Sequence, residues 1–241
     1  MSGHSKWNNI KHKKEKNDAA KAGIFTKIGK EIAVAVRMGG GDPNSNSKLR
    51  ELIAKAKANN IPNDNIERAI KKSLDKDSAA YEEMTYEGYG PGGVAVIVEA
   101  ATDSKNRTAG DVRHFFSKYG GNLGTTGCVS FLFSERGLIV IVDEDGEIEE
   151  DRLMEDALEA GAADFEGEEG VFEIYTEPDD VYAVGDALTA KGYKLESAER
   201  TKVPSTYVTL SSDDDIANMQ NLLDKLEDND DITNVYHNWE N

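Results

Sequence analysis

The sequence contains one cysteine, few aromatic residues and no hydrophobic run long enough to cross a membrane. Cys128 alone excludes an intramolecular disulfide framework and fits a reducing compartment. The longest apolar runs, residues 94–98 and 138–142, have the length of strands. The N-terminal region is positively charged but lacks the apolar segment of a signal peptide. We therefore expect a cytoplasmic protein that does not span a membrane.

Positive charge is scarce overall but concentrated at one end of the chain. The 241 residues include 28 Lys and Arg against 46 Asp and Glu, which gives a formal net charge of −18. Residues 1–78 hold 17 of these cations and 9 of the acids, a net +8, so residues 79–241 keep 11 cations and 37 acids, a net −26. A basic head on an acidic body favours a protein that presents one end to a polyanion.

A basic arm and three amphipathic helical patterns make up the head. Residues 2–17 have neither a helical nor a strand period. Apolar residues then recur four apart until three glycines at 39–41 break the pattern. Two further helical patterns follow Ser47 and Asn63, which we predict as N-caps. The sequence therefore predicts a three-helix bundle within residues 1–78.

Strand and helix patterns alternate in the acidic body, as is typical of an α+β protein. Residues 135–204 contain a complete β-α-β-β-α-β pattern, while residues 79–134 and 205–241 contain half of one each. The halves include predicted strands at Val129–Phe133 and Tyr207–Leu210. The simplest topology is a ferredoxin-like α+β domain, 79–134 plus 205–241, with a second ferredoxin-like domain, 135–204, inserted in it. Two tandem domains of another topology are the alternative.

The arm combines lysines with a tryptophan, which suggests nucleic-acid binding. Lysines attract phosphate, and an indole ring stacks on a base. Alternatively, Trp7 docks the arm on the bundle while the lysines are solvated. Positive charge continues along the predicted helices, which favours nucleic-acid contact. The predicted nucleic-acid-binding residues are Lys6, Trp7, Lys11, Lys13, Lys14, Lys21, Lys27, Lys30, Lys55, Lys57, Arg68, Lys71 and Lys72.

The second and third helical patterns also fit a helix-turn-helix. The turn between them, Ile61-Pro62-Asn63, carries no base-reading signature. We therefore expect contact with the nucleic-acid backbone rather than direct readout of bases.

A separate phosphate contact is predicted at residues 102–108, where a strand ends and a helix begins. Backbone amides, Asn106 and Arg107 at a helix N-terminus can hold a phosphate. Ordinary capping by Asn106 or Asp103 explains the same residues. The sequence leaves both interpretations open.

Two glycine-rich segments bear on catalysis. Residues 88–93 match G-x-G-x-x-G, but a strand follows them instead of the required helix, so we interpret them as a turn. Residues 120–127 form either a lid over a ligand or a turn that needs positive φ. We find neither a nucleophile motif nor metal-ligand spacing. We expect no enzyme activity, cofactor or metal, with an enzyme using the 120–127 lid as a remote alternative.

Short ordered motifs run through almost the whole chain. They are Gly3-His4-Ser5-Lys6-Trp7, Ile24-Phe25-Thr26-Lys27, Gly39-Gly40-Gly41-Asp42-Pro43, Lys55-Ala56-Lys57, residues 62–70, residues 86–93, Asn106-Arg107-Thr108, residues 120–124 and Val235-Tyr236-His237-Asn238. Together they resemble the YebC/PmpR family. Gly23 stands where family members often carry lysine, and Cys128 stands where serine is usual, so we expect Cys128 to be a packing residue.

The resemblance implies a non-enzymatic, three-domain cytoplasmic protein that binds DNA as a transcriptional regulator. Other members of the family, including the mitochondrial translational activator of a cytochrome oxidase subunit, act on translation. RNA, or the ribosome, is therefore the alternative partner. The acidic body offers surfaces to protein partners.

Overall fold

The computed structural model describes residues 23–75 and 80–240. The helical periodicity of the first range produces helix α1 over residues 23–39, α2 over Ser47–Ala58 and α3 over Asn63–Ser73. Their apolar faces meet in one core. The buried residues of this core are Ile28, Ile32, Ala35, Val36, Leu49, Leu52, Ala56 and Ile66. The predicted three-helix bundle is confirmed.

Asn46 joins the first two helices. It is the N-cap of α2, one residue before the predicted Ser47, and its Oδ1 accepts the Leu49 N–H at 3.1 Å. Its Nδ2 donates to the carbonyl oxygens of Ala35 at 2.9 Å and Gly40 at 2.8 Å. One buried side chain thus satisfies backbone groups at the end of α1 and the start of α2.

Strands and helices alternate beyond residue 80, as predicted. In chain order they are β1 (Glu82–Tyr89), β2 (Ala95–Thr102), α4 (Lys105–Lys118), β3 (Asn122–Leu123), β4 (Phe133–Val142), α5 (Glu150–Ala160), β5 (Asp164–Glu168), β6 (Val171–Thr176), α6 (Val181–Ala190), β7 (Leu195–Pro204), β8 (Val208–Thr209), α7 (Asp213–Glu227), β9 (Ile232–His237) and β10 (Trp239–Glu240). A short 3₁₀ turn, Pro91–Gly93, links β1 to β2 and confirms that the glycines there form a turn.

The elements β4 to β7 form a ferredoxin-like domain. Their sheet has the order β5-β6-β4-β7, and each strand is antiparallel to its neighbours. Alternate residues of β4, such as Ile139 and Ile141, pack with Leu153 of α5 and with Val184 and Leu188 of α6. This segment has the β-α-β-β-α-β order that the sequence predicts.

A second sheet of the same kind surrounds this segment in the chain. Its order is β3-β1-β2-β9, again antiparallel throughout, and the chain enters it before the inserted segment and returns to it afterwards. Its central strand β2 is buried almost completely. The α+β fold class is therefore confirmed: a three-helix bundle followed by two ferredoxin-like domains, the second inserted in the first. The predicted domain boundaries remain predictions.

Two strand predictions are wrong. Residues 130–132 of the predicted strand Val129–Phe133 form a 3₁₀ turn, because the amides of Val129 and Ser130 bind a carboxylate instead of a neighbouring strand. Of the predicted strand Tyr207–Leu210, only β8 pairs, and it pairs in parallel with β10. The fourth strand of the outer sheet is instead β1, between β3 and β2, which was not predicted as a strand.

The described residues divide into two compact units. The first contains Leu132–Thr209 with Trp239 and Glu240, and the second contains the bundle, the remaining residues up to Phe131 and Leu210–Asn238. The bundle and the outer sheet therefore belong to one unit. Within 23–75 and 80–240, no helix combines the length and the apolar character needed to cross a bilayer.

Candidate nucleic-acid interface

The predicted nucleic-acid-binding residues fall into three groups. The first group lies outside the described residues and contains Lys6, Trp7, Lys11, Lys13, Lys14 and Lys21. The remaining seven lie on the three helices of the bundle. The structure separates these seven into exposed cations and cations that contact the outer ferredoxin-like domain.

The exposed group lies on α2 and α3. Lys57 occupies the last turn of α2, and Arg68, Lys71 and Lys72 follow on α3, all with exposed side chains. Because α3 buries its apolar residues in the bundle core, its polar face is left to solvent. The Lys71 Nζ lies 3.8 Å from the carboxylate of Glu67, and both side chains are more than half exposed. Such a surface pair holds the lysine only weakly, so phosphate can displace the glutamate.

Three further exposed cations lie on the bundle, although they are not among the predicted binding residues. Arg37 lies in the last turn of α1, and Lys48 and Arg50 lie in the first half of α2, all exposed. The Arg50 guanidinium donates to the carbonyl oxygen of Pro43 at 3.2 Å. Their polar positions on predicted amphipathic helices are the signal that could have identified them.

The connection between α2 and α3 is short, as in a helix-turn-helix. Four residues, 59–62, separate the helices, and α3 begins at Asn63 with Pro62 as N-cap and without a side-chain cap. Asp64 lies in the first turn of α3, while its lysines lie in the last turn. In a helix-turn-helix the first turn of the second helix approaches the bases. An acidic first turn repels phosphate, so this distribution favours backbone contact through the C-terminal half of α3.

The third group, Lys27, Lys30 and Lys55, contacts the outer ferredoxin-like domain. The Lys27 Nζ donates to the carbonyl oxygen of Glu227 at the end of α7. The Lys30 Nζ donates to the carbonyl oxygen of Asp230 at 2.9 Å, in the turn that leads to β9. The cations of this group are therefore held by oxygen acceptors of the protein itself.

Asp231 is the centre of this contact. Its carboxylate accepts hydrogen bonds from Lys30 Nζ at 2.7 Å, Arg107 Nη2 at 2.7 Å and Thr108 Oγ1 at 2.9 Å. Burial by itself raises the pKa of Asp231, but the bonds from Lys30, Arg107 and Thr108 outweigh it and lower the pKa to about 2. No pattern in the sequence indicates this role, since Asp231 stands in an acidic run typical of solvated turns.

Lys55 takes part in a second polar cluster beside the first. Its Nζ lies 3.0 Å from the Glu31 carboxylate of α1 and 3.5 Å from Asn234 Oδ1 of β9. The Asn234 amide in turn donates to the Glu99 carboxylate of β2 at 3.1 Å, and the Tyr236 hydroxyl donates to the same carboxylate at 3.3 Å. Residues of the bundle and of the outer sheet thus share one hydrogen-bond network.

The predicted phosphate contact at Asn106 and Arg107 lies at the start of α4. Asn106 is exposed, whereas the Arg107 guanidinium binds both Asp231 and the Asp103 carboxylate, the latter at 2.9 Å. The N-cap of α4 is Ser104, without a side-chain hydrogen bond, so capping by Asn106 or Asp103 is wrong. Phosphate contact at these two residues remains a prediction, in which Arg107 must leave a carboxylate to bind.

The glycine-rich segment 120–127 is tied to the outer sheet by Glu87 of β1. The buried Glu87 carboxylate accepts N–H bonds from Gly127 at 2.8 Å, Val129 at 3.0 Å and Ser130 at 2.9 Å. Burial raises the pKa of Glu87, but these amide bonds prevail and lower it overall. Gly127 has a φ of 88°, as the interpretation as a turn requires.

Cys128 lies half-buried within this clamped segment. Burial and the neighbouring Glu87 charge both raise the pKa of its thiol, which disfavours the reactive thiolate. Across residues 23–75 and 80–240, no group of three or more His, Cys, Asp or Glu side chains is arranged to hold a metal ion.

A helical domain carrying exposed cations, joined to two ferredoxin-like domains of which one is inserted in the other, defines a class of multidomain α+β protein. A family model described as the TACO1/YebC protein N-terminal domain matches residues 5–76, and one described as the TACO1/YebC second and third domain matches residues 81–239. The chain belongs to the TACO1/YebC family, and the resemblance of its motifs to that family is confirmed.

Similar proteins cover the chain from end to end. A probable transcriptional regulatory protein of Acetivibrio thermocellus is 58% identical over 240 residues, with 99% of both chains covered. One of the same name from Lachnoclostridium phytofermentans is 54% identical, with 100% of both covered. The crystal structure of a conserved hypothetical protein from Aquifex aeolicus is similar with a TM-score of 0.80 and 44% identity, covering 92% of this chain and 91% of that one.

Proposed function

We propose that the protein is a non-enzymatic, nucleic-acid-binding regulator of gene expression, in the first place a DNA-binding transcriptional regulator. The exposed cations of α2 and α3 support it most directly. Lys57, Arg68, Lys71 and Lys72 lie on one short helical pair, on the +8 head of a chain whose remainder carries −26. Relatives that match the whole chain carry the name probable transcriptional regulatory protein.

The charge distribution sets the mode of binding. Lysine and arginine attract phosphate regardless of sequence, and the acidic body keeps the remaining surface away from the polyanion. The body then offers its surfaces to protein partners. The single cysteine fits action in the cytoplasm.

RNA, free or on the ribosome, is the second candidate partner. The observation that favours it is the acidic Asp64 in the first turn of α3, where a duplex-reading helix approaches the bases. A basic surface without base-reading residues suits folded RNA as well as a duplex groove.

The test is a salt series with duplex DNA, single-stranded RNA and ribosomes, using the intact protein and a variant that lacks residues 2–17. If about four phosphates are contacted by the helices, log affinity for duplex DNA should fall with log salt at a slope near −3.6. The double variant Lys71→Gln, Lys72→Gln should reduce that slope by about 1.8. The partner bound most tightly at physiological salt separates transcription from translation.

The matched control is Arg152→Gln, Lys194→Gln. Both residues are exposed and lie in the inserted domain, so this variant removes the same charge from the same chain. A salt slope near zero for the intact protein, or an equal loss of affinity in the two double variants, would contradict the proposed interface.

A further inference from the structure

The bundle contacts the outer domain through Lys27, Lys30 and Lys55, three of the cations predicted to bind nucleic acid. We propose that their contacts with residues 227–234, called here the latch, are autoinhibitory and open when nucleic acid binds. The inference rests on the proposed function and deepens it. In the closed state the chain's own oxygens occupy these lysines, and in the open state phosphates do.

The acceptors in the latch resemble those of a nucleic-acid backbone. Lys27 and Lys30 bind carbonyl oxygens, and Lys30 also binds the Asp231 carboxylate. These are closely spaced, negatively polarised oxygens that need no particular side-chain sequence, as phosphate oxygens are. The C-terminal end of a helix such as α7 adds its negative dipole end to the attraction.

Burial excludes phosphate from the closed latch. The side chain of Lys30 is 12% exposed and that of Asp231 is 6% exposed, while Lys55 is 26% and its partner Glu31 is 9% exposed. A phosphate diester cannot reach the Lys30 Nζ while Asp231 binds it. Nucleic acid can gain these cations only if the bundle moves away from the outer sheet.

The latch is held by charge, and an interface of this kind separates more readily than an apolar one. Breaking a largely buried ion pair is costly unless another anion replaces the carboxylate. Duplex DNA supplies one charge per about 1.7 Å of its axis. Lys57, two residues after Lys55 on the same helix, is exposed in the closed state. Nucleic acid bound at Lys57 is therefore held on α2 itself, although Lys57 and Lys55 project to different sides of the helix.

If only the open state binds through the latch lysines, the apparent affinity is the intrinsic affinity multiplied by the open fraction. A change that weakens the latch without removing a lysine must then tighten binding. This is the reverse of what loss of a merely structural contact predicts.

The decisive variant is Asp231→Asn, with Asp103→Asn as its matched control. Both substitutions remove one negative charge beside Arg107, but the carboxylate of Asp231 also binds Lys30, whereas Asp103 lies on the exposed surface. We expect Asp231→Asn to tighten duplex DNA binding about 3- to 10-fold at fixed salt, and Asp103→Asn to change it less than 2-fold. Circular dichroism checks that both variants are folded.

A variant that leaves the net charge unchanged provides a second test in case Asp231→Asn does not fold. Asn234→Ala removes the amide beside Lys55 and leaves the net charge and every lysine in place. It should tighten binding in the same direction, by a smaller factor. In this background, Lys27→Gln should weaken binding and reduce the salt slope by about 0.9, as expected for one lost phosphate contact.

The rate of lysine acetylation, measured by mass spectrometry, reports on opening of the latch in the absence of nucleic acid. In the Asp231→Asn variant, acetylation of Lys27, Lys30 and Lys55 should become faster together. This is expected although Lys27 binds the Glu227 carbonyl oxygen and Lys55 binds the Glu31 carboxylate. Equal DNA affinities of the Asp231→Asn and Asp103→Asn variants, or faster acetylation confined to Lys30, would overturn the latch. Failure of every variant to bind DNA or RNA, with acetylation raised at all three lysines, would contradict the proposed function while supporting the opening of the latch.

Discussion

The two ferredoxin-like sheets have the same spatial order but are threaded differently by the chain. The inserted sheet, β5-β6-β4-β7, is built by strands that follow one another along residues 133–204. The outer sheet, β3-β1-β2-β9, uses β1 in the position that β6 holds in the inserted sheet. In the inserted sheet, β6 comes after the edge strand β5 in the chain. In the outer sheet, β1 comes before the central strand β2 and forms a hairpin with it.

The difference shows that the sheet order depends on packing rather than on the order of strands in the chain. A central strand needs an antiparallel partner on each side, and any nearby segment that supplies it completes the sheet. In the outer domain the chain leaves after β3 and returns as α7, so a strand from before β2 fills the gap. The edge strand β3 is only two residues long and ends in the segment that Glu87 clamps.

The largest expected effect concerns that clamp. Glu87→Ala should lower the free energy of unfolding by about 3 kcal/mol, because three N–H groups lose a charged acceptor in a buried site. Urea unfolding measures the loss, and hydrogen exchange should show faster exchange at Val129 and Ser130. The control is Glu83→Ala, an exposed glutamate of the same strand. Equal stability of the two variants would show that the outer sheet does not depend on the clamp.

A second prediction tests how closely β1 and β3 approach. A Cβ at Gly88 would lie 2.5 Å from the carbonyl oxygen of Asn122 and 3.0 Å from the Cα of Leu123. Gly88→Ala should therefore cost about 2 kcal/mol, because backbone atoms must move. Gly110→Ala on α4, where a Cβ has open space, should instead stabilise by up to about 1 kcal/mol. Thermal unfolding distinguishes them, and equal shifts in Tm would refute the close approach.

The same contrast explains how much of the fold the sequence could predict. The amphipathic pattern of α7 and the continuous apolar run of β4 predicted both elements, with ends that differ by a few residues from those observed. The strand β1 was missed because its buried positions hold Glu87 and Gly88, which do not follow the apolar alternation of a strand. The segment around Val129 was assigned as a strand because it is apolar, although its amides bind a carboxylate distant in sequence.

The candidate site was only partly readable for a similar reason. Sequence periodicity identifies which lysines lie on helices, and Lys57, Lys71 and Lys72 are exposed as a polar helix face requires. It does not show which polar face meets another domain. Lys30 and Asp231 are 201 residues apart, and only the tertiary structure brings them together.

The response to acid distinguishes the outer domain. The folded-state pKa of Asp231 is lowered to about 2, below its usual value near 3.8, so its contribution is present above about pH 4 and is lost as the pH falls towards 2. The loss should be about 2 kcal/mol. Unfolding by urea at pH 5, 4, 3 and 2 measures it. Asp231→Asn should flatten this dependence, whereas Asp103→Asn should retain it, and parallel curves for the two variants would refute the assignment.

The response to alkali should come from Tyr207, which lies between β7 and β8, after the inserted domain. Burial raises the pKa of Tyr207 to about 12, with Glu173, Glu166 and Glu240 adding to the shift. A raised folded-state pKa means that the neutral phenol stabilises the fold below pH 10 and that this contribution disappears as the pH rises through 12.

Tyr207→Phe cannot ionise, so its stability should fall less than that of the intact protein between pH 10 and 12. Spectrophotometric titration of phenolate absorbance should show one group fewer near pH 12 in Tyr207→Phe than in the intact protein. An unchanged titration there would mean that Tyr207 ionises in its ordinary range.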